Sequence, residues 1–344
     1  MTRLLRAATC AAALALAVPG VATLAATAAE AAETTLRITL QLPMKSHLGQ
    51  NLLLFKEEVE SRSNGEIEVQ IFDSAQLYKD SEVPQAVGSG AIEMGVASLT
   101  RFVGDIPAVD IFYMPFVFNS EPLVRAATAP GSSVRGPLDE AILDTGSRVL
   151  WWQAYGGAVL LSQDEPLRTP ADIEGQKVRV FGKTLGSFVD SVGGVPTLIS
   201  GSEQYLAYQR GTVDVGMTGV SGVKARSLWE VMDWITVTNH ADIEFVVLVN
   251  EEFWQELPEA HREIIQSAAA MADTAVRDRI TEIENDAYAA AKENGMQVHE
   301  LSSAEVEAWR AGAQPVIDQY LAETGDLGRQ VYEAALELRS SVSN

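Results

Sequence analysis

The 344-residue chain has one cysteine, four histidines and only 25 lysines and arginines against 47 acidic residues. The single thiol, Cys10, excludes an internal disulfide and any metal site built on several thiolates. None of His47, His240, His261 and His299 has the spacing of a zinc-binding helix, and none pairs with a cysteine. His261 reads as a solvated residue on a helix. A formal charge of −22 argues against nucleic acid, whose phosphates need a basic patch, and against anionic lipid. The sequence has no phosphate-binding glycine loop: Gly88–Gly90 and Gly193-Gly194 match neither known pattern, and Gly219-Val220-Ser221-Gly222 is no nucleophile elbow. No catalytic constellation, cofactor or metal is therefore expected, and an enzyme is disfavoured.

Long apolar runs are also missing, with one exception. Arg3 and Arg6 are followed by an uncharged, alanine-rich stretch from Ala7 to Ala29, broken by Pro19-Gly20 and closed by small residues. This is the layout of a cleaved secretory signal over residues 1–29. Alanine inserts weakly into bilayers and Pro-Gly interrupts a spanning helix, which weighs against a permanent anchor. Cys10 lies ahead of the leucine-rich part, not at its end, so lipid attachment is not expected. The mature chain is then more acidic still, thiol-free and outside the cytoplasm.

Hydrophobic residues make up 47% and charged residues 21%, a globular composition, and the length suits two domains. Strand and helix patterns alternate: strand Thr35–Gln41, helix Leu48–Val59, an Asn64-Gly65 turn and strand Glu66–Phe72, then strand Gln176–Phe181, helix Leu185–Val192 and strand Val195–Ile199. Such alternation implies an α/β fold with mostly parallel sheets and helices on both faces. Ser81–Ser98 (SEVPQAVGSGAIEMGVAS) and Ser202–Gly219 (SEQYLAYQRGTVDVGMTG) share five residues in register. Each reads as a serine-capped short helix ended by glycine (Gly90, Gly211) and followed by an apolar strand. Two lobes of similar build would face each other across a cleft. Ligands gather at the carboxyl ends of such strands, which places Ser98 and Thr218 beside it.

Between Pro258 and Gly295 there is no proline or glycine, and apolar residues recur at helical spacing. The reading is one helix of about 36 residues, some 54 Å at 1.5 Å per residue, long enough to span both lobes. The alternative is two helices with an unmarked break. Helices over Ala304–Thr324 and Gly328–Val342 close the chain.

Arg179, in the strand Lys177–Val180, needs an acidic partner if buried. That partner is either an internal carboxylate, Asp172 or Asp214, or a carboxylate brought by a ligand, which the guanidinium fork fits.

A resemblance bears on that choice. His47 to Phe55, Glu57–Val59, Ser63-Asn64-Gly65, Gln76-Leu77, Gly90–Met94, Met114–Phe118, Leu167–Asp172 with Gly175–Val180, Ser202-Glu203…Tyr205…Gln209-Arg210-Gly211…Asp214, and Thr238-Asn239-His240 occur in order. In this the mature chain resembles the DctP-like solute-binding subunits of TRAP transporters, periplasmic receptors that close two lobes on a small organic acid. The resemblance implies that Arg179 pairs with the solute carboxylate, that membrane subunits of a TRAP transporter are the partners, and that the receptor works as a monomer. It implies lobe I from 34–156 plus about 245–275, and lobe II from 157–244 plus about 276–344. Ser98, Thr218 and Gln41 would contribute polar groups. Phe102, Tyr155 and Phe181 would wall the pocket with Trp151 and Trp152, and Glu244 with Asp242 would sit at its edge. The chain departs from the pattern at Val159, where some members have a second arginine, and at Gly201, where they have an aromatic ring. A less cationic pocket follows from these departures. It favours a monocarboxylate or a hydroxy or oxo acid, with a small amine-bearing or zwitterionic solute as the other reading.

Overall fold

The computed structural model describes residues 32–342, so the signal segment 1–29 lies outside the described residues. Ten strands follow one another among the described residues: β1 (Thr34–Thr39), β2 (Ile67–Phe72), β3 (Met94–Ser98), β4 (Ser147–Ser162), β5 (Lys177–Val180), β6 (Val195–Leu198), β7 (Gly216–Gly219), β8 (Trp234–Val237), β9 (Asp242–Asn250) and β10 (Gln297–Glu300). The main sheet runs β10-β8-β4-β9-β3-β1-β2, with β7 also on β4 and a separate β5-β6 pair. The outer pairs are parallel, as β-α-β alternation requires. Strands β4 and β9, in contrast, run antiparallel to every neighbour. The sheet is therefore mixed, with its antiparallel pairs at the centre.

β4 makes the fold two-lobed. From Ser147 to Gly157 it pairs with β9, and from Ala158 to Ser162 with β7 and β8. The first half completes a lobe of β2, β1, β3 and β9, and the second half completes a lobe containing β7, β8 and β10. The passage from one to the other is irregular. A register shift falls between Ala154 and Gly156, and Gly156 takes φ 99°, a left-handed value that glycine adopts without strain. The Gly157 amide donates to Glu284 Oε1 at 2.9 Å.

The sixteen-residue helix His47–Arg62 buries Leu48, Leu52, Phe55 and Val59 at helical spacing, and Ser46 caps it by accepting from the Gly49 amide. Asn64 (φ 51°) and Gly65 (φ 85°) form the expected turn into β2. The paired helix-to-strand units are present as helix Val83–Gly88 into β3 and helix Gln204–Gln209 into β7, with Gly90 at φ 73° and Gly211 at φ 62°. Their serines are not caps, however. Ser81 lies inside a 3₁₀ turn, Asp80–Glu82, and the helices start after Glu82 and Glu203 with no side-chain cap.

The single long helix is not formed. Glu259–Arg277 and Ile280–Glu293 are separate, the first packed on His47–Arg62 and β4, the second on helix Val220–Arg226 and β10. The break is tertiary in origin. Arg125 Nη2 donates to the Arg277 carbonyl at 2.9 Å and Nη1 to Asp278 at 2.7 Å, which engages the acceptor that the next helical turn would use. Ala304–Thr324 likewise divides into Ser303–Arg310 and Ala313–Glu323 around Gly312. The last helix, Gly325–Val342, packs on residues 107–113 and 121–128, so the expected assignment of everything after 276 to the second lobe does not hold for it.

Candidate functional site

β1, β3, β5 and β7 all deliver their carboxyl ends to one narrow cavity between the lobes. Gln41 lies just after β1, Ser98 ends β3, Arg179 is in β5 with Phe181 beyond it, Thr218 is in β7, and Tyr155 is on the crossing part of β4. Six of the eight residues singled out from the sequence thus meet on one cavity. A wider groove lies between helices His47–Arg62, Val220–Arg226 and Ile280–Glu293, but its cations, Lys45, Lys224 and Arg279, are exposed. It offers no buried charge to a ligand.

The alternation of β9 excludes Glu244. Ile243 and Phe245 face the cavity, so Asp242 and Glu244 point to the other side of the strand. Glu244 is fully buried there and takes two bonds from Arg277, Nη1 to Oε1 at 2.9 Å and Nη2 to Oε2 at 2.8 Å. Burial, with Glu244 next to it, holds the Asp242 carboxyl well above its ordinary range. Phe102 is also off the cavity: in the 3₁₀ turn Leu99–Phe102 its ring joins the core and Arg101 turns inward instead. Trp151 packs against Phe55, and Trp152 donates to Asp139 at 2.7 Å, so both belong to the core.

Arg179 has no acidic partner among the described residues. It is 3% exposed, and its Nε donates to the Ile199 carbonyl at 3.0 Å and its Nη1 to that of Met217 at 2.5 Å. The two internal candidates are occupied elsewhere: Asp172 accepts from the Thr169 amide and Asp214 from the Lys177 amide. Nη2 makes no hydrogen bond to the described residues. Burial lowers the guanidinium to about 10, with Arg101 and Arg226 adding repulsion, and it remains cationic at neutral pH. A charge desolvated to this extent, met by two carbonyl dipoles and by the face of the Phe181 ring 4.9 Å away, is suited to completion by an anion.

The rest of the lining was not read from the sequence. Asp80, 1% exposed, accepts from the Ser98 amide at 2.8 Å, from Ser98 Oγ at 2.5 Å and from Arg101 Nε at 2.5 Å. The Ser98 hydroxyl proton is therefore committed to Asp80. Gln204, Gly201 and Arg226 complete the wall. Three arginines against one carboxylate make the cavity cationic, which overturns the expectation of a weakly positive pocket. Val159 carries no charge, but Arg226 enters from a different element, the helix Val220–Arg226. Lys79 of one lobe and Glu203 of the other pair at 2.8 Å.

Outside the cavity, Glu33, Glu66 and His261 are the one cluster among the described residues with ligand atoms close enough for a metal. His261 is not solvated: it is 3% exposed, 3.1 Å from Thr34 Oγ1 and 3.3 Å from Glu66. No helix among the described residues is long and apolar enough to cross a membrane.

Comparison with known proteins agrees with this architecture. The family model described as bacterial extracellular solute-binding protein, family 7 (DctP) matches residues 39–324. The C4-dicarboxylate-binding periplasmic protein DctP of Rhodobacter capsulatus is 30% identical over 282 residues, covering 80% of this chain and 83% of that one. The sialic acid-binding periplasmic protein SiaP of Vibrio cholerae is 27% identical over 307 residues, 88% of this chain and 93% of its own. Among solved structures, a TRAP periplasmic solute binding protein from Sulfurospirillum deleyianum with bound succinate superposes with a TM-score of 0.84 at 24% identity, covering 89% and 99% of the two chains. With the two-lobed fold and the interlobe cavity, the family match identifies this chain as a member of the DctP family of bacterial extracellular solute-binding proteins.

Proposed function

We propose that the protein is exported by way of its N-terminal segment and acts in the periplasm as a monomeric receptor for a small organic acid. It would hold the solute carboxylate on Arg179 and deliver it to the membrane subunits of a TRAP transporter. The observation that carries this reading is the buried Arg179 guanidinium, whose hydrogen-bond acceptors among the described residues are two carbonyls and no carboxylate. The relatives named for C4-dicarboxylate and sialic acid, both organic acids, support the solute class. The amine-bearing alternative has no support in the cavity, because its one carboxylate, Asp80, is engaged by Ser98 and Arg101.

The lining supplies a mechanism. Gln41 and Ser98 come from the first lobe, and Arg179, Thr218 and Arg226 from the second, so a solute touching both sets binds the closed form better than the open one. Closure is driven by that difference in affinity and reports occupancy to the membrane partner. The family to which the chain belongs consists of solute-binding proteins, and the solute would be returned unaltered.

Titration calorimetry with a panel of small carboxylates tests the assignment. Arg179→Gln is expected to lose about 2–5 kcal/mol of binding, the cost of removing one partner of a buried charge pair. Unchanged affinity would dismiss Arg179 as the anchor. Turnover of any bound acid would dismiss the receptor reading.

A further inference from the structure

The mechanism above counts Arg226 among the second-lobe contacts without saying which group of the solute it meets. Arg226 ends the helix Val220–Arg226, where Ser227 turns into a left-handed conformation at φ 52°. Its Nη1 donates to Tyr155 Oη at 3.2 Å, and it forms no ion pair with the described residues. Its Nη2 lies beside Gly201: a Cβ on that glycine would stand 3.2 Å from Nη2 and 2.5 Å from Gln41 Oε1. Gly201 therefore leaves space for both side chains to approach one point. Gln41 is 4% exposed, and its Oε1 is buried without a donor. A buried acceptor left unpaired is costly, and in a binding cavity a ligand can complete it.

The corner thus offers a donor, Arg226 Nη2, and an acceptor, Gln41 Oε1, around one small space. A hydroxyl satisfies both, because its oxygen accepts from Arg226 while its hydrogen goes to Gln41. A carboxylate would accept from Arg226 but leave Oε1 facing further lone pairs. An amine would suit Gln41 and be repelled by Arg226. A methyl group would satisfy neither. We infer that Arg226 and Gln41 form a hydroxyl-reading subsite, so that the solute is a hydroxylated acid with its carboxylate on Arg179. The inference rests on the assignment of this cavity as the solute site. Gln41 belongs to the first lobe and Arg226 to the second, so the subsite is complete only when the lobes are closed, and the hydroxyl itself contributes to closure.

The test is calorimetry on the mature protein with butyrate, its three monohydroxy derivatives and succinate, with melting curves as a check on folding. At least one hydroxybutyrate is expected to bind about tenfold or more tighter than both butyrate and succinate, as a site built around a hydroxyl requires. In Arg226→Gln and in Gln41→Leu that advantage is expected to fall below about threefold, the hydroxybutyrate losing more affinity than butyrate in each variant. Gln41→Leu gives the same readout without touching the helix, should Arg226→Gln melt early. The inference is overturned if succinate binds more tightly than every hydroxybutyrate, if hydroxylated and plain acids bind alike or not at all, or if Arg226→Gln weakens butyrate equally. Arg179→Gln separates the two levels. It should weaken every acid together. If it leaves them untouched, the cavity assignment fails; if it weakens them while the hydroxyl preference survives Arg226→Gln, only the subsite fails.

Discussion

Acid should destabilise this protein through His240, by an amount that follows from its surroundings. The ring is 1% exposed and stacks on Phe188 with 5.4 Å between centroids. Nδ1 lies 2.7 Å from Thr238 Oγ1, and Nε2 is buried with no partner. Burial lowers the imidazole from its ordinary 6.5 to about 4. Between those values the unfolded chain binds a proton that the folded chain refuses. Stability from this group is therefore full above pH 6.5 and drains away as pH falls toward 4. At about pH 5 the gap of roughly 1.5 pH units at 1.36 kcal/mol each amounts to about 2 kcal/mol. Asp110 and Asp242, buried carboxyls with raised values, act in the opposite sense, so the total pH dependence does not isolate the histidine. The difference between wild type and His240→Gln does. Urea unfolding should find the variant weaker near neutral pH, where it lacks the Thr238 bond and the stacking, and the gap should narrow by about 2 kcal/mol at about pH 5. A gap that stays constant within about 0.5 kcal/mol would refute the reasoning.

Two further perturbations probe the crossing between the lobes. Arg277→Met strands the fully buried Glu244 carboxylate and should cost about 3–5 kcal/mol in urea unfolding, with most of it recovered in the double variant with Glu244→Leu. A loss below about 1 kcal/mol would mean that water or another cation reaches the site. Gly156→Ala places a methyl group where Glu284 Oε1 stands and imposes φ 99° on an L-residue, so the melting curve should register a loss of about 1–3 kcal/mol. An unchanged melt would show that this passage is free to relax.

What could be read from the sequence was whatever depends on neighbours along the chain. The run Lys177-Val178-Arg179-Val180 placed a cation on a strand, and the paired helix-glycine-strand units put Ser98 and Thr218 at equivalent strand ends, where the structure has them lining one cavity. What could not be read depends on partners far away. The helix break at Asp278 is made by Arg125, 153 residues distant, and leaves no glycine or proline as a mark. Arg226 carries no mark in the sequence and joins the cavity only because the fold brings Gly201 and Tyr155 beside it. Glu244 was misplaced for a simpler reason. Once Ile243 or Phe245 is assigned to one face of β9, its neighbours must take the other, and the hydrophobic run 245–249 does not tell which face holds the cavity.

The sixteen-residue β4 has a consequence for how the molecule assembles. One uninterrupted strand completes the sheets of both halves, and its pairing with β9 joins segments some ninety residues apart in the chain. The two ladders share one continuous backbone, so loosening either half of that strand pulls on the other. Contacts of such long range make folding slow and collective. Independent melting of the halves is precluded, so heat should release the whole body in one calorimetric peak, and a lesion in either half is felt by both.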